Sequence, residues 1–154
     1  MKAPAEDRFM NKVWIVESGC WLWTGAVTSA GYANFINEIG RNTLGHRWAF
    51  ERYVHRIPEG MVIDHACHTT SCVNPDHLRV ATFGENASNR SGIHPQSISG
   101  KRNVNWDGTA KKWVVRVKLF GKFYYGGFFE DADLAADAAA KLRDSLYGEF
   151  AGTD

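Results

Sequence analysis

No stretch of the chain is apolar over the roughly 20 residues that a bilayer crossing needs. The opening residues, Met1-Lys2-Ala3-Pro4-Ala5-Glu6-Asp7, turn acidic at once and carry no apolar signal segment. A soluble, intracellular (cytoplasmic) protein with no membrane partner is the expectation. Net charge is nearly absent too: 18 basic residues face 17 acidic ones. Cysteine is scarce, and its count of three excludes complete disulfide pairing within one chain. In a reducing compartment, Cys near His points to metal or to buried thiols. No fixed-period repeat is visible. Disorder is excluded by composition, with 44% hydrophobic and 23% charged residues. A length of 154 residues allows one ordinary domain or two small ones.

The near-zero charge hides a strong local imbalance. Residues 101–122 hold seven basic side chains and one acidic, a net +6. Residues 129–154 hold seven acidic and two basic, a net −5. A basic segment of this kind fits a polyanion partner.

The pattern predicts a short helix over 6–17, with Phe9 and Val13 four apart. Cys20-Trp21-Leu22-Trp23 reads as a strand, residues 27–31 as a turn, and Tyr32 to Ile36 as the return strand. Residues 43–55 read as a helix and Met61-Val62-Ile63 as a short strand delivering Asp64-His65. A polar loop over 66–77 follows, then a strand at Leu78-Arg79-Val80-Ala81. Thr82-Phe83-Gly84-Glu85 forms a capping box that opens a helix through about Asn89. Residues 91–101 have linker composition. Beyond them, 113–119 and 123–128 alternate as strands. Glu130-Asp131 opens an Ala-rich helix whose expected stripe is Leu134, Ala138, Leu142 and Leu146.

Cys67-x4-Cys72-x4-His77 lies in the 66–77 loop, and Cys20 is the one remaining cysteine. Three thiolates and one imidazole make a closed tetrahedral zinc site. His68 is a rival for the fourth position. A metal would hold a loop that has little apolar content of its own.

Asp64-His65, Asn74-Pro75-Asp76-His77-Leu78 and Thr82-x-x-Glu85-Asn86 occur in this order with strand, loop, strand and capped helix around them. The set resembles the HNH endonucleases, a branch of the His-Me finger nucleases, over roughly residues 10–92. The Cys-Trp near the N-terminus and the Cys…Cys loop are similar to phage-type HNH proteins. The resemblance implies that His65 is the general base, that Asp64 and Asn86 ligate a catalytic Mg²⁺ (or Mn²⁺), and that Cys20, Cys67, Cys72 and His77 hold a structural Zn²⁺. Position 77 is often Asn in such enzymes, where it orients the base. With His there, Asn74 or a backbone carbonyl is left to orient His65. Arg47, Arg79 and Arg90 are candidate phosphate contacts.

Trp106, Trp113, the Arg116/Lys118 strand, Gly121-Lys122 and Tyr125-Gly126-Gly127-Phe128 resemble the APETALA-type DNA-binding domain of plant ethylene-response factors. In that resemblance, Trp106, Arg116, Lys118, Lys122 and Tyr124 face DNA, while Val115, Val117, Leu119 and Phe123 pack on the helix. The expected fold is therefore α+β. A ββα-metal His-Me finger nuclease domain with structural zinc spans 1–92 and a linker spans 93–101. A small three-stranded antiparallel sheet packed on one helix spans 102–154. The expected activity is DNA endonuclease of phage or homing type, nicking or cutting double-stranded DNA as a monomer or homodimer. The alternative is a non-catalytic DNA-binding regulator with a degenerate HNH fold.

Overall fold

The computed structural model describes residues 3–89, 93–94 and 96–152. It divides into two units, Met1–Thr82 and Phe83–Asp154. No described helix is long and apolar enough to cross a membrane.

In the first unit, α1 (Ala5–Met10) is shorter than the sequence predicts. Val13-Trp14-Ile15 forms strand β1 (Val13–Ile15), which pairs antiparallel with β2 (Trp21–Trp23). The 32–36 segment therefore has a different partner from the expected one. Its strand β3 (Asn34–Ile36) pairs with β4 (Asn42–Leu44). The β-branched and aromatic character of 13–15 suits a strand better than a helix continuation. Phe9, on the helix, goes to the core instead. Its ring meets Trp48 at 4.5 Å and Trp23 and Phe35 at 5.1 Å between centroids.

Trp48 belongs to α2 (Gly45–Tyr53). One face of this helix gives Trp48 and Ala49 to the aromatic cluster, while Phe50 packs with Ile57, Ile63 and Leu78 in a second cluster. The second cluster underlies the hairpin of β5 (Val62–His65) and β6 (Leu78–Ala81), in which Asp64 lies opposite Arg79 and His65 opposite Leu78. Residues 66–77 connect these strands and end in a 3₁₀ turn, Pro75–His77, capped by the Asn74 side chain accepting from Asp76 N–H.

The second unit begins with α3 (Phe83–Ser88). A three-stranded antiparallel sheet follows in the order β7 (Val104–Asp107), β8 (Lys112–Leu119) and β9 (Lys122–Phe129). One face of it packs on α4 (Ala132–Tyr147). Asp131 caps α4 by accepting from the N–H groups of Asp133 and Leu134 at 2.7 and 2.9 Å. The buried side of α4 is Ala135, Ala139 and Arg143, with Ala136, Ala138 and Leu142 partly buried. The expected Leu134 stripe is displaced by one residue, and Leu134 is exposed. The reason is local. The ladder is irregular at Val115/Arg116, opposite Gly126. A Cβ at Gly126 would stand 2.6 Å from Val115 Cγ1 and 3.4 Å from Leu142 Cδ2. Only a glycine bulge backed by small alanines lets helix and sheet approach so closely.

Candidate active site and metal centre

Asp64 and His65 end β5 and are both buried. Successive strand residues point to opposite faces, so the two side chains leave the hairpin on different sides. Asp64 accepts a charge-assisted hydrogen bond from Arg79 Nε at 2.8 Å, directly across the ladder. Arg79 therefore neutralises a carboxylate that β5 carries out of water. His65 Nε2 lies 3.0 Å from the carbonyl oxygen of Cys72. A carbonyl only accepts, so Nε2 carries the proton and donates, and Nδ1 holds the basic lone pair. The contact fixes the orientation of the ring. Asn74, the other candidate for that task, instead donates from Nδ2 to the Gly19 carbonyl at 2.7 Å. Burial pushes the His65 pKa below the usual imidazole value, against the Cys72 carbonyl and the Asp64 charge, which both raise it. The ring is accordingly neutral near pH 7, the state a general base needs.

His46, at the start of α2, is a buried neighbour of His65. It is 4% exposed, and its ring meets His65 edge-on at 4.9 Å. Tyr32 packs on both imidazoles, at 5.1 and 5.9 Å. Nδ1 of His46 has no hydrogen-bond partner among the described residues. Burial, with His65 and Arg47 adding, pushes its pKa down to about 3. A folded pKa below the unfolded one means that the unfolded chain binds the extra proton. Stability present above about pH 6.5 should therefore be lost as pH falls toward 3, by at most about 1.4 kcal/mol per pH unit from this group. Thermal melts between pH 7 and 4.5 check this, and His46→Phe should flatten the slope.

The 66–77 loop brings the sulfur atoms of Cys20, Cys67 and Cys72 and a ring nitrogen of His77 within 4.8 Å of one another. Cys20 reaches the loop because β2 is stitched to it. Trp23 N–H donates to Ser71 O, Val73 N–H donates to Trp21 O, and Leu22 bridges Cys72. Gly19 adopts φ +79° there, and a Cβ on it would press at 3.4 Å on His77 Nε2. His77 Nδ1 sits 3.5 Å from Cys20 Sγ and 3.7 Å from Cys72 Sγ. Tetrahedral zinc at ordinary bond lengths separates its ligand atoms by roughly 3.5–3.8 Å, so the donor set fits that ion. The cluster takes in His77 and leaves out His68, which adopts φ +55° in the loop. Its thiols are in electrostatic conflict. Burial pushes Cys72 up to about 12. Burial also acts to raise Cys20, but hydrogen bonds from Ser18, Cys72, Cys67 and Thr69 outweigh it and the pKa is lowered. A divalent cation removes the conflict by stabilising every thiolate at once.

Comparison with known proteins singles out this same hairpin. Residues 44–88 match the model of the HNH endonuclease family. The HNH segment thus runs from the end of β4 to the end of α3, taking in His46, Asp64, His65, three of the four metal-centre residues and Asn86. The chain is 29% identical over 83 residues to "Protein 2.8" of Escherichia phage T7, across 53% of this chain and 56% of that one. It is 35% identical over 69 residues to "Protein 7.7" of the same phage, across 44% and 52%. It is also 44% identical over 39 residues to the "Uncharacterized gene 5.3 protein" of Enterobacteria phage T3, across 25% and 39%. The chain spans about half the length of the T7 relatives it matches. No solved structure matches it.

Within the HNH segment, Arg47 is half-buried on α2 and Asn86 is exposed on α3. Arg90 lies outside the described residues. Beyond the segment, the register of the sheet sorts the remaining candidates. Arg116 and Lys118 are exposed on the face away from α4, opposite Tyr125 and Phe123 respectively. Phe123, expected against the helix, is thus on the outer face, where both cations lie over its ring at 4.9 and 5.5 Å. Tyr124 pairs with the fully buried Val117 and so belongs to the helix side. Lys122 shares that side and lies over the Tyr124 ring. Trp106 pairs with Trp113, which packs on the helix-side core. Of the five expected contacts on the sheet, Arg116 and Lys118 alone stand on the outer face. Tyr125 joins them there, and strand alternation counted back from Lys118 across a two-residue turn is the signal that finds it.

Proposed function

We propose that this protein is a metal-dependent DNA endonuclease that hydrolyses phosphodiester bonds in double-stranded DNA. The observation that carries the reading is the buried His65, its Nε2 tied to the Cys72 carbonyl, beside Asp64 in the hairpin of the HNH segment. His65 Nδ1 takes a proton from the attacking water. The carboxylate of Asp64 and the amide oxygen of Asn86 are hard donors suited to Mg²⁺ or Mn²⁺. Such an ion, when bound, supplies Lewis-acid stabilisation of the leaving 3′ oxygen. Arg79 holds Asp64 in place through the Nε contact. Zinc at Cys20, Cys67, Cys72 and His77 is structural. The basic sheet face with Arg116 and Lys118 grips the polyanion. Phage encoding fits the relatives, and a homing-type role is one setting for such an enzyme.

Loss of the 3′ oxygen as leaving group dictates the product ends. Nicks in a closed plasmid should carry 5′-phosphate and 3′-hydroxyl termini and be resealed by DNA ligase without prior treatment. Asp64→Asn should demand a much higher Mg²⁺ concentration for half-maximal nicking. Ends that ligase cannot seal, or an unchanged Mg²⁺ requirement, would remove the assignment of the leaving group or the ligand.

A further inference from the structure

The outer face of the three-stranded sheet carries more exposed aromatic surface than a face that only grips phosphate requires. Phe123, Tyr125 and Phe128 lie on it, 45%, 64% and 53% exposed, around the cations Arg116 and Lys118. Phe120, at the tip of the β8–β9 hairpin, is 80% exposed. The position of Phe120 is telling. The turn is two residues long, with φ +47° at Phe120 and +81° at Gly121. Both central residues of such a turn favour Gly, Asn or Asp, and a bulky side chain is strained there. Neither turn chemistry nor the core calls for phenylalanine.

Duplex DNA offers phosphates, sugars and base edges, none of which stacks on a ring face. Unpaired bases do stack, and proteins that bind single strands interleave aromatic rings with cations along a groove or sheet. On β9, Phe123 and Tyr125 are two residues apart, about 7 Å along the strand, room for successive bases. The two cations stand above Phe123 on the same face and supply the charge for the backbone. We propose that this face is a stacking platform for an unpaired single-stranded segment within otherwise double-stranded DNA, so that the preferred substrate carries unpaired nucleotides. The inference deepens the endonuclease reading and rests on it for the identity of the polymer.

The test uses the full chain carrying His65→Ala, without added divalent ion, and fluorescence anisotropy. The probes are a labelled oligothymidylate of about 16 nucleotides, the upper site size for small single-strand folds, and a duplex of the same length. The single strand should bind at least ten-fold more tightly. Tyr125→Ala and Phe128→Ala should each weaken it by roughly ten-fold and leave duplex binding nearly unchanged. Phe120→Asn should raise Tm, by relieving the turn, and yet weaken single-strand binding. That combination is foreign to a merely structural residue. Equal or tighter binding of duplex, or aromatic variants without effect, would overturn the proposal. So would absence of DNA affinity, which would leave the face to a protein partner. Failure of the wild type to nick in Mg²⁺, with single-strand binding intact in the variant, would instead strike the endonuclease reading alone.

Discussion

With zinc in the proposed Cys20, Cys67, Cys72 and His77 site, chelation, or changing Cys72 to Ser, should unfold the first unit. Structural zinc held by a four-ligand site of this kind contributes about 10–16 kcal/mol of apparent binding free energy at neutral pH. That equals or exceeds the whole stability of an ordinary domain, about 5–15 kcal/mol. Beside its backbone bonds to β2, the loop that carries three of the ligands has little apolar anchorage. Of its side chains, Val73 is the one that enters the aromatic core cluster. Elemental analysis should return about one zinc per chain. On chelation, the near-ultraviolet signal of Trp23 and Trp48 should collapse, because both rings sit in the cluster that β2 joins to the loop. A metal-free chain with that signal intact would show that the cysteines are simply buried thiols.

The second large effect is catalytic. His65→Ala should lower the nicking rate by about 10³-fold, the middle of the range for a positioned general base. Circular dichroism should show that the fold persists. The wild-type rate should fall as pH drops through the folded pKa of His65. Because burial lowers that pKa, the midpoint of the acid limb should lie below about 6.5, the unperturbed value. A midpoint above it would mean that the imidazole is charged in its working state and not the base. The limb should be read above the pH range in which protonation linked to His46 lowers stability.

Parts of this site were legible in the sequence and others were not, for physical reasons. Asp64-His65 at a strand end, the polar Cys/His loop and the returning strand are all local patterns, and the hairpin has them. The clustering of Cys20 with a loop about 50 residues away follows in the sequence from donor chemistry and from the resemblance to phage-type HNH proteins, not from any local pattern. The stitching that achieves it, from Gly19, Asn74 and the Leu22–Cys72 bridge, depends on backbone bonds with no sequence signature. Strand partners were misassigned in the first unit because alternation identifies a strand without naming its neighbour. Nothing local in the sequence marks His46 as buried, yet Tyr32 and His65 pack against it. On the sheet, Phe123 and Tyr124 exchange faces relative to the expectation. The two-residue turn pairs Leu119 with Lys122 and so sets Phe123 beside Lys118. The shifted helix stripe has the same origin as the bulge, a glycine whose missing side chain lets alanines take the places expected of leucines.

The central claim is that the HNH segment cuts DNA with His65 as its base. The most direct measurement is the conversion of supercoiled plasmid to open circles in the presence of Mg²⁺, with wild type and His65→Ala side by side. The account predicts nicking by the wild type and almost none by the variant, with both proteins retaining DNA binding and zinc. Binding without nicking by the wild type, or undiminished nicking by the variant, would contradict it.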